Sequence, residues 1–311
     1  MNIFRIASIG SALLALTSVG CGGEDPVSDV DAGPMLLDPM AAYDLDGNPV
    51  AIDLSCQGTR TAPATDGPTS TFVGETSDYQ SGDLLPNAQF SFYPSNEVPA
   101  ALTCAGDCVS ATSDGASHVS LMGHTGAWFA YYFAARDCTM TPATCPVETV
   151  QYDLPIPADG QTQKIRAVSL ATLNLIPSVL GVTRQGGTGL IAGTFFDCND
   201  HPIMNMQARA YRPDGTFIEA PAGAHTQPAY RYFNGNQQPD ATAKFSQEDG
   251  LFGALNLPVP EGGEPIRIEG WGNVGGEMHM VSCEEIRIFA DGVAIFNLRP
   301  DRADGPSNCS E

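Results

Sequence analysis

Hydrophobic positions along this chain come in short runs of strand length, each closed by glycine, proline or an aspartate-rich break. From Gly189 to Arg212 the chain reads GLIAGTFFDCNDHPIMNMQARAYR. A glycine sits inside an apolar run, Asp197-Cys198-Asn199-Asp200 interrupts it, and Pro202 leads into a second, alternating run, which predicts strand, turn, strand. Phe72 to Tyr93, FVGETSDYQSGDLLPNAQFSFY, repeats that pattern upstream. Later landmarks recur in the same order. Asp114-Gly115 ahead of Val119–Met122 answers Asp249-Gly250 ahead of Leu251–Leu255. The run Trp128–Ala134 (WFAYYFA) answers Ile266–Trp271, and Thr172–Pro177 answers Ile295–Pro300. Trp128–Ala134 is apolar throughout, the mark of a strand buried on both faces. Val147–Leu154 and Ile165–Leu175 are also expected as strands. Nothing sustains a 3.6-residue period, so helix content is expected to be low.

The repeat divides the 311 residues into two β-domains, expected over 53–180 and 190–300. Residues 181–189, with Gly186-Gly187, are the expected linker, and 301–311 a C-terminal tail. Residues 1–20 carry one early charge, Arg5, followed by an uncharged, mostly apolar stretch from Ile6 to Val19. That stretch is shorter than the ~20 residues of a membrane span and suits a signal peptide. Ser18-Val19-Gly20-Cys21 follows and resembles a bacterial lipobox, departing from it at Ser18, where the pattern prefers an aliphatic residue. The resemblance implies lipid on Cys21 and a membrane partner; ordinary signal-peptidase cleavage is the alternative. Residues 21–52, rich in Asp, Pro and Gly, are expected to be a disordered tether. Within them Asp44-Leu45-Asp46-Gly47-Asn48 imitates the start of a calcium loop. Ser55 stands where the twelfth-position glutamate belongs, so an acidic turn is expected there.

Charged residues make up 16% of the chain and the formal net charge is −22, with Lys164 and Lys244 the only lysines. Such a surface excludes nucleic-acid backbone as a partner. Nine cysteines are present. With Cys21 lipidated, eight remain, and an even number in an exported chain reads as disulfides. Spacing does not determine their connectivity. Assignment by domain favours Cys104–Cys108, Cys138–Cys145 and Cys198–Cys283, which leaves Cys56–Cys309.

The segments Gly193–Asp197, Pro202–Gln207 and Ser246–Phe252, repeated as Gly74–Asp78, Pro86–Gln89 and Thr112–His118, resemble the carboxypeptidase regulatory-like domain. That family belongs to the transthyretin-like β-sandwiches. The resemblance covers roughly Asp53 to Pro300. It implies an all-β fold of two tandem antiparallel Greek-key β-sandwiches on a lipid-anchored bacterial protein of the outer membrane or cell surface. It carries no catalytic residues, so a non-catalytic structural or binding module is expected, with an extracellular protein or glycan as partner.

Few residues suggest chemistry. The histidines His118, His124, His201, His225 and His279 lack accompanying ligands at metal spacing, so no metal or other cofactor is expected. A related sandwich fold holds iron through two Tyr and two His. Tyr131, Tyr132, Tyr211, Tyr230 and Tyr232 raise that chemistry, but no His-x-His pair lies near them. Trp271, flanked by Gly270 and Gly272, is the candidate for stacking on a sugar ring, against the plainer reading of a strand-end core residue.

Overall fold

Residues 36–57, 67–134, 145–221, 225–235 and 238–300 are described by a computed structural model of the chain. The expected signal peptide, the lipobox, Cys138 and Cys309 lie outside these residues. A tether was expected over 21–52, and for residues 36–52 the structure corrects that expectation. Strands β1 (Ala41–Tyr43) and β2 (Pro49–Val50) pair antiparallel and are joined by the Asp44 turn. Leu37 and Ala42 are buried. The segment is hydrogen-bonded onto the second repeat, where Asn273 Nδ2 donates to the Leu37 carbonyl and Asn205 Nδ2 to that of Pro39. An acidic, proline-rich composition does not keep a segment disordered when another domain offers it a strand edge and buried amides.

The first repeat contains β3 (Thr69–Asp78), β4 (Gln89–Tyr93), β5 (Val109–Thr112), β6 (His118–His124), β7 (Trp128–Phe133), β8 (Thr149–Pro155) and β9 (Thr162–Ala167). One sheet runs β8-β7-β4-β5 and the facing one β6-β3-β9. After helix α1 (Leu170–Val179), the second repeat contains β10 (Thr188–Phe195), β11 (Ile203–Met204), β12 (Met206–Tyr211), β13 (Ala229–Phe233), β14 (Pro239–Asp240), β15 (Leu251–Pro258), β16 (Ile266–Val274), β17 (Glu277–Ile286) and β18 (Val293–Leu298). Its sheets run β12-β16-β17 and β14-β13-β15-β10-β18, and β11 pairs with β1.

The two strand orders superimpose but for one strand. In each repeat the first strand lies antiparallel to one neighbour and parallel to the last: β3 between β6 and β9, β10 between β15 and β18. These parallel pairs depart from the purely antiparallel sandwich expected. They arise because the last strand of each repeat returns beside the first and runs in the same direction. Gly74 and Gly193 hold equivalent places, opposite Val119 and Phe252. The buried Ser113 and Ser246 make the same bracket, donating through Oγ to the Leu85 and Ile203 carbonyls and accepting from the Ala88 and Met206 amides. Asn87 (φ 56°) and Asn205 (φ 63°) turn the chain at matching points, a left-handed conformation asparagine tolerates. The Asp-Gly match slips by two residues in space: Ser117 (φ 68°), not Gly115, occupies the place of Gly250 (φ 65°).

One strand does not superimpose. β5 extends the sheet beside β4, whereas its counterpart β13 has crossed to the other sheet and pairs with β15. That crossing vacates the edge of β12. The vacated edge is capped from across the core, where the Tyr232 and Tyr230 hydroxyls accept from the Ala208 and Ala210 amides, each at 3.0 Å. Covering an edge in this way blocks pairing with another chain.

The repeats are not beads on a linker. β18 lies parallel to β8, with Val293 opposite Thr149 and Ile295 opposite Gln151, and this pairing fuses two sheets into one of nine strands. The apolar run of β7 follows from this. Phe129, Tyr131 and Phe133 enter the core of the first repeat, while Ala130 and Tyr132 enter a core shared with the second. Arg299 adds a polar tie, seated 5.3 Å from Trp128 and 5.2 Å from Phe196 while its Nε donates to Asp200.

The stretch Ile165–Leu175, expected as one strand, is split. β9 ends at Ala167, and Ser169 then caps α1 by accepting from the Thr172 amide. Leu170, Leu173 and Ile176 seat the helix on Val293, Ile295, Leu190 and Leu255. Thr172–Pro177 is therefore helix while Ile295–Leu298 is strand, and the true counterpart of β18 is β9.

Candidate functional site

The cysteines are the first residues to place. Cys56 is bonded to Cys198 and Cys104 to Cys108. The second bond is the one expected; the first overturns both Cys198–Cys283 and Cys56–Cys309. The reason is the ordered N-terminal segment, which runs along the second repeat. The Asp53 amide donates to Asp197 Oδ2 and the Cys198 amide to the Asp53 carbonyl, bringing Cys56 beside Cys198. Cys145 and Cys283 are disulfide-bonded as well.

The aspartates of the breaks are turn builders. Asp44, Asp114 and Asp197 each accept, through Oδ1, the amides two and four residues ahead. Asp78 does the same for the amides of Gln80 and Ser81. Side-chain and backbone hydrogen bonds from Asn48 hold the Asp44 carboxyl below its ordinary value, so its oxygens are engaged within the acidic turn expected there.

Asp249 is the exception. Oδ1 accepts from the Leu251 amide, but Oδ2 is buried without a partner, and desolvation pushes the pKa up to about 6. The folded state then holds more protons than the unfolded chain between pH 3.8 and about 6, so stability falls as pH rises through that window and stays lowered above it. Asp249→Asn keeps the Oδ1 acceptor and removes the charge. We expect it to raise the unfolding free energy by about 2 kcal/mol at pH 7.5 and to change little at pH 4. Urea midpoints at the two pH values check this; equal shifts at both would refute it.

The histidines do not converge. His124 and His225 bond the Gly67 and Gly181 carbonyls through Nδ1, and His118, His201 and His279 lie beside Glu75, Asp197 and Glu277. Among the described residues no three His, Cys, Asp or Glu side chains are grouped to hold a metal. The tyrosines considered for iron are built into the scaffold. Tyr131 donates to Gln151 and Tyr132 to Glu148, while Tyr230 and Tyr232 cap β12. Burial raises the pKa of all four.

Trp271 stands on the outer face of the β12-β16-β17 sheet. Pairing places Gln207, Trp271 and Met280 in one row, Arg209, Glu269 and Cys283 in the next, and Tyr211, Arg267 and Glu285 in a third. These rows form a ladder of alternating cations and rings. The Arg209 guanidinium lies 4.2 Å from the Trp271 ring centroid and that of Arg267 4.5 Å from Tyr211. The buried Glu269 carboxylate joins them, accepting from Trp271 Nε1 at 2.7 Å and pairing with Arg267 Nε at 2.9 Å. Met280 and Cys283 pack against the indole. Trp271 is thus half-buried and already stacked, so a sugar would have to displace Arg209 to reach the ring face. Sequence reasoning singled out Trp271 and missed its neighbours. The signal was present in the outward positions of MQARAY and IRIEGW, which a strict two-residue alternation selects.

No family model matches the chain, and neither does any curated protein. Solved structures that align with it include the shaft pilin SpaA from Lactobacillus rhamnosus GG, at 10% identity over 75% of this chain and 98% of that one, with a TM-score of 0.25. The minor pilin GBS52 of Streptococcus agalactiae aligns at 9% identity over 78% of this chain and 100% of that one, also with a TM-score of 0.25. The Bacillus anthracis TIE protein aligns at 13% identity and a TM-score of 0.23 over 75% of this chain; the match spans about a third, 34%, of that protein.

Proposed function

We propose that this chain is an exported, surface-displayed β-sandwich module that works by structure and binding rather than catalysis, held to a membrane through lipid on Cys21. The observation that carries the reading is the state of the cysteines. All six within the described residues are disulfide-bonded, the condition of a protein matured in an oxidising compartment. The leader and the Ser18–Cys21 sequence agree with export and anchoring. The paired Gly, Asp, Asn and Ser positions fit tandem scaffolds of the carboxypeptidase regulatory-like kind, displayed at the outer membrane or cell surface. Tyr131, Tyr132, Tyr230, Tyr232 and Trp271 are engaged in hydrogen bonds, edge caps and a cation–π stack, which favours a structural role. A carbohydrate partner at Trp271 is the second reading, supported by the aromatic ladder and opposed by Arg209 standing on the ring.

The anchor is tested by expressing the full chain in a bacterial host with labelled palmitate. The wild type is expected to take up label and to fractionate with membranes, and Cys21→Ser to lose both label and membrane association. A wild type recovered as soluble protein, or a Cys21→Ser variant with unchanged location, would refute the anchor.

A further inference from the structure

Cys145 and Cys283 are disulfide-bonded, and Cys56–Cys198 and Cys104–Cys108 account for the other described cysteines. The two do not bond each other. The Cys145 carbonyl accepts from the Leu170 amide at the first turn of α1, which packs on Val293, Ile295 and Leu190. Alternation turns Ala294, Phe296 and Ile191 to the opposite face of that sheet, into the core shared with Ile266, Ile268 and Val281. Cys283 lies beyond this core again, opposite Glu269 on the outward row of β17. Two sheets packed about 10 Å apart therefore separate the sulfurs, whereas a disulfide holds its Cα atoms within about 7 Å.

Each needs a partner from outside the described residues: Cys21, Cys138 or Cys309. Cys138 is close to Cys145 in the chain and far from Cys283. The chain leaves β7 toward Cys138 at the Val293 end of β18, where Phe133 pairs with Thr149. Two observations at the other end of β18 direct Cys283 to Cys309. Ser282 forms an antiparallel bridge with Pro300, so the chain passes out of the described residues beside Cys283. Cys309 follows nine positions later, a stretch reaching at most about 30 Å, and Asp304-Gly305-Pro306 is a turn signal that suits a return. The second observation is burial. Cys283 is 1% exposed and Met280 8%, although both stand on the outer face of an edge strand. Trp271 packs against them, and burial this deep calls for a further cover.

We propose that Cys309 bonds Cys283 and seats the segment 301–309 on the outer face of the β12-β16-β17 sheet, beside Trp271. Closing the bond takes two protons and two electrons from the two thiols. They pass to the disulfide of an oxidoreductase in the exporting compartment, which becomes a dithiol. The face considered for a sugar then has an occupant from the chain itself, which a ligand would have to displace along with Arg209. Both ends of the folded part meet at β17, because Gln57 Nε2, next to the Cys56–Cys198 bond, donates to the Met280 carbonyl. The inference rests on the anchor reading in one step: lipid on Cys21 leaves Cys309 as the partner.

The test is a tryptic peptide map of the purified full chain, alkylated and digested without reduction. Ile268–Arg287 carries Cys283 alone and Ala303–Glu311 carries Cys309 alone. The two are expected as one linked species that reduction separates. Cys283 recovered alkylated, or linked to the peptide of Cys138 and Cys145, would overturn the inference. A Cys21–Cys283 link would overturn it together with the anchor, whereas a soluble wild type that still yields the expected species would overturn the anchor alone. The seat is read by acrylamide quenching of tryptophan fluorescence. Cys283→Ser/Cys309→Ser should raise the quenching constant about twofold. The rise should disappear in a Trp271→Phe background, whereas general unfolding would expose Trp128 as well. An unchanged constant would overturn the placement beside Trp271.

Discussion

Replacing Cys56 and Cys198 together by serine is expected to lower the unfolding free energy by about 5 kcal/mol, against about 2 kcal/mol for Cys104→Ser/Cys108→Ser. The difference follows from chain entropy. The first bond joins residues 142 apart and the second residues 4 apart, and the freedom a cross-link removes from the unfolded chain grows with the logarithm of the loop. The long bond also does spatial work. It closes the N-terminal segment onto the second repeat beside the Asp53–Asp197 hydrogen bonds, so its loss should loosen β1 and β2 before the sandwiches. Urea denaturation of the two double variants measures the first effect, and amide exchange at Ala42 and Tyr43 the second. Equal costs for the two bonds would refute the entropic account.

Gly193→Ala should cost about 3 kcal/mol and Gly74→Ala about 1 kcal/mol, although the two glycines are equivalents in the repeat. A Cβ at residue 193 would lie 2.5 Å from the Phe296 carbonyl oxygen and 2.8 Å from the Phe252 ring. The carbonyl is backbone in a parallel ladder and cannot retreat without disturbing the β10–β18 pairing, which lies beside the junction of the repeats. A Cβ at residue 74 would meet only side-chain carbons of Val119, Leu121 and Ile165, the nearest at 2.9 Å, and these can shift by small torsions. Melting temperatures of the two variants decide this; a Gly74→Ala cost as large as that of Gly193→Ala would refute it.

Much of the scaffold is legible in the chain because two-residue alternation and turn chemistry are local. Gly74 and Gly193, Asp78 and Asp197, and Asn87 and Asn205 mark the same bends twice. WFAYYF announced a strand buried on both faces. α1 was not legible: its ten residues are too few to show a period, and Thr172–Pro177 imitates the strand at Ile295–Pro300 in letters alone. Its capping by Ser169 and its seat on Val293 and Ile295 depend on contacts distant in the chain. The candidate site was half legible. Trp271 stands out as a rare residue type, but Arg209 and Glu269 become its partners only through strand register.

The sequence by itself determined that there are two β-repeats, where their turns fall, which faces are apolar, and that the cysteines suit an oxidising compartment. Tertiary structure decided which edges meet. Only it placed β13 beside β15, joined β18 to β8, laid the N-terminal segment on the second repeat, and so gave Cys56 its partner. The physical reason is that side-chain pattern encodes burial, whereas backbone hydrogen bonding at a strand edge is nearly independent of side chain. The choice of neighbour is therefore made by the packing of the whole chain.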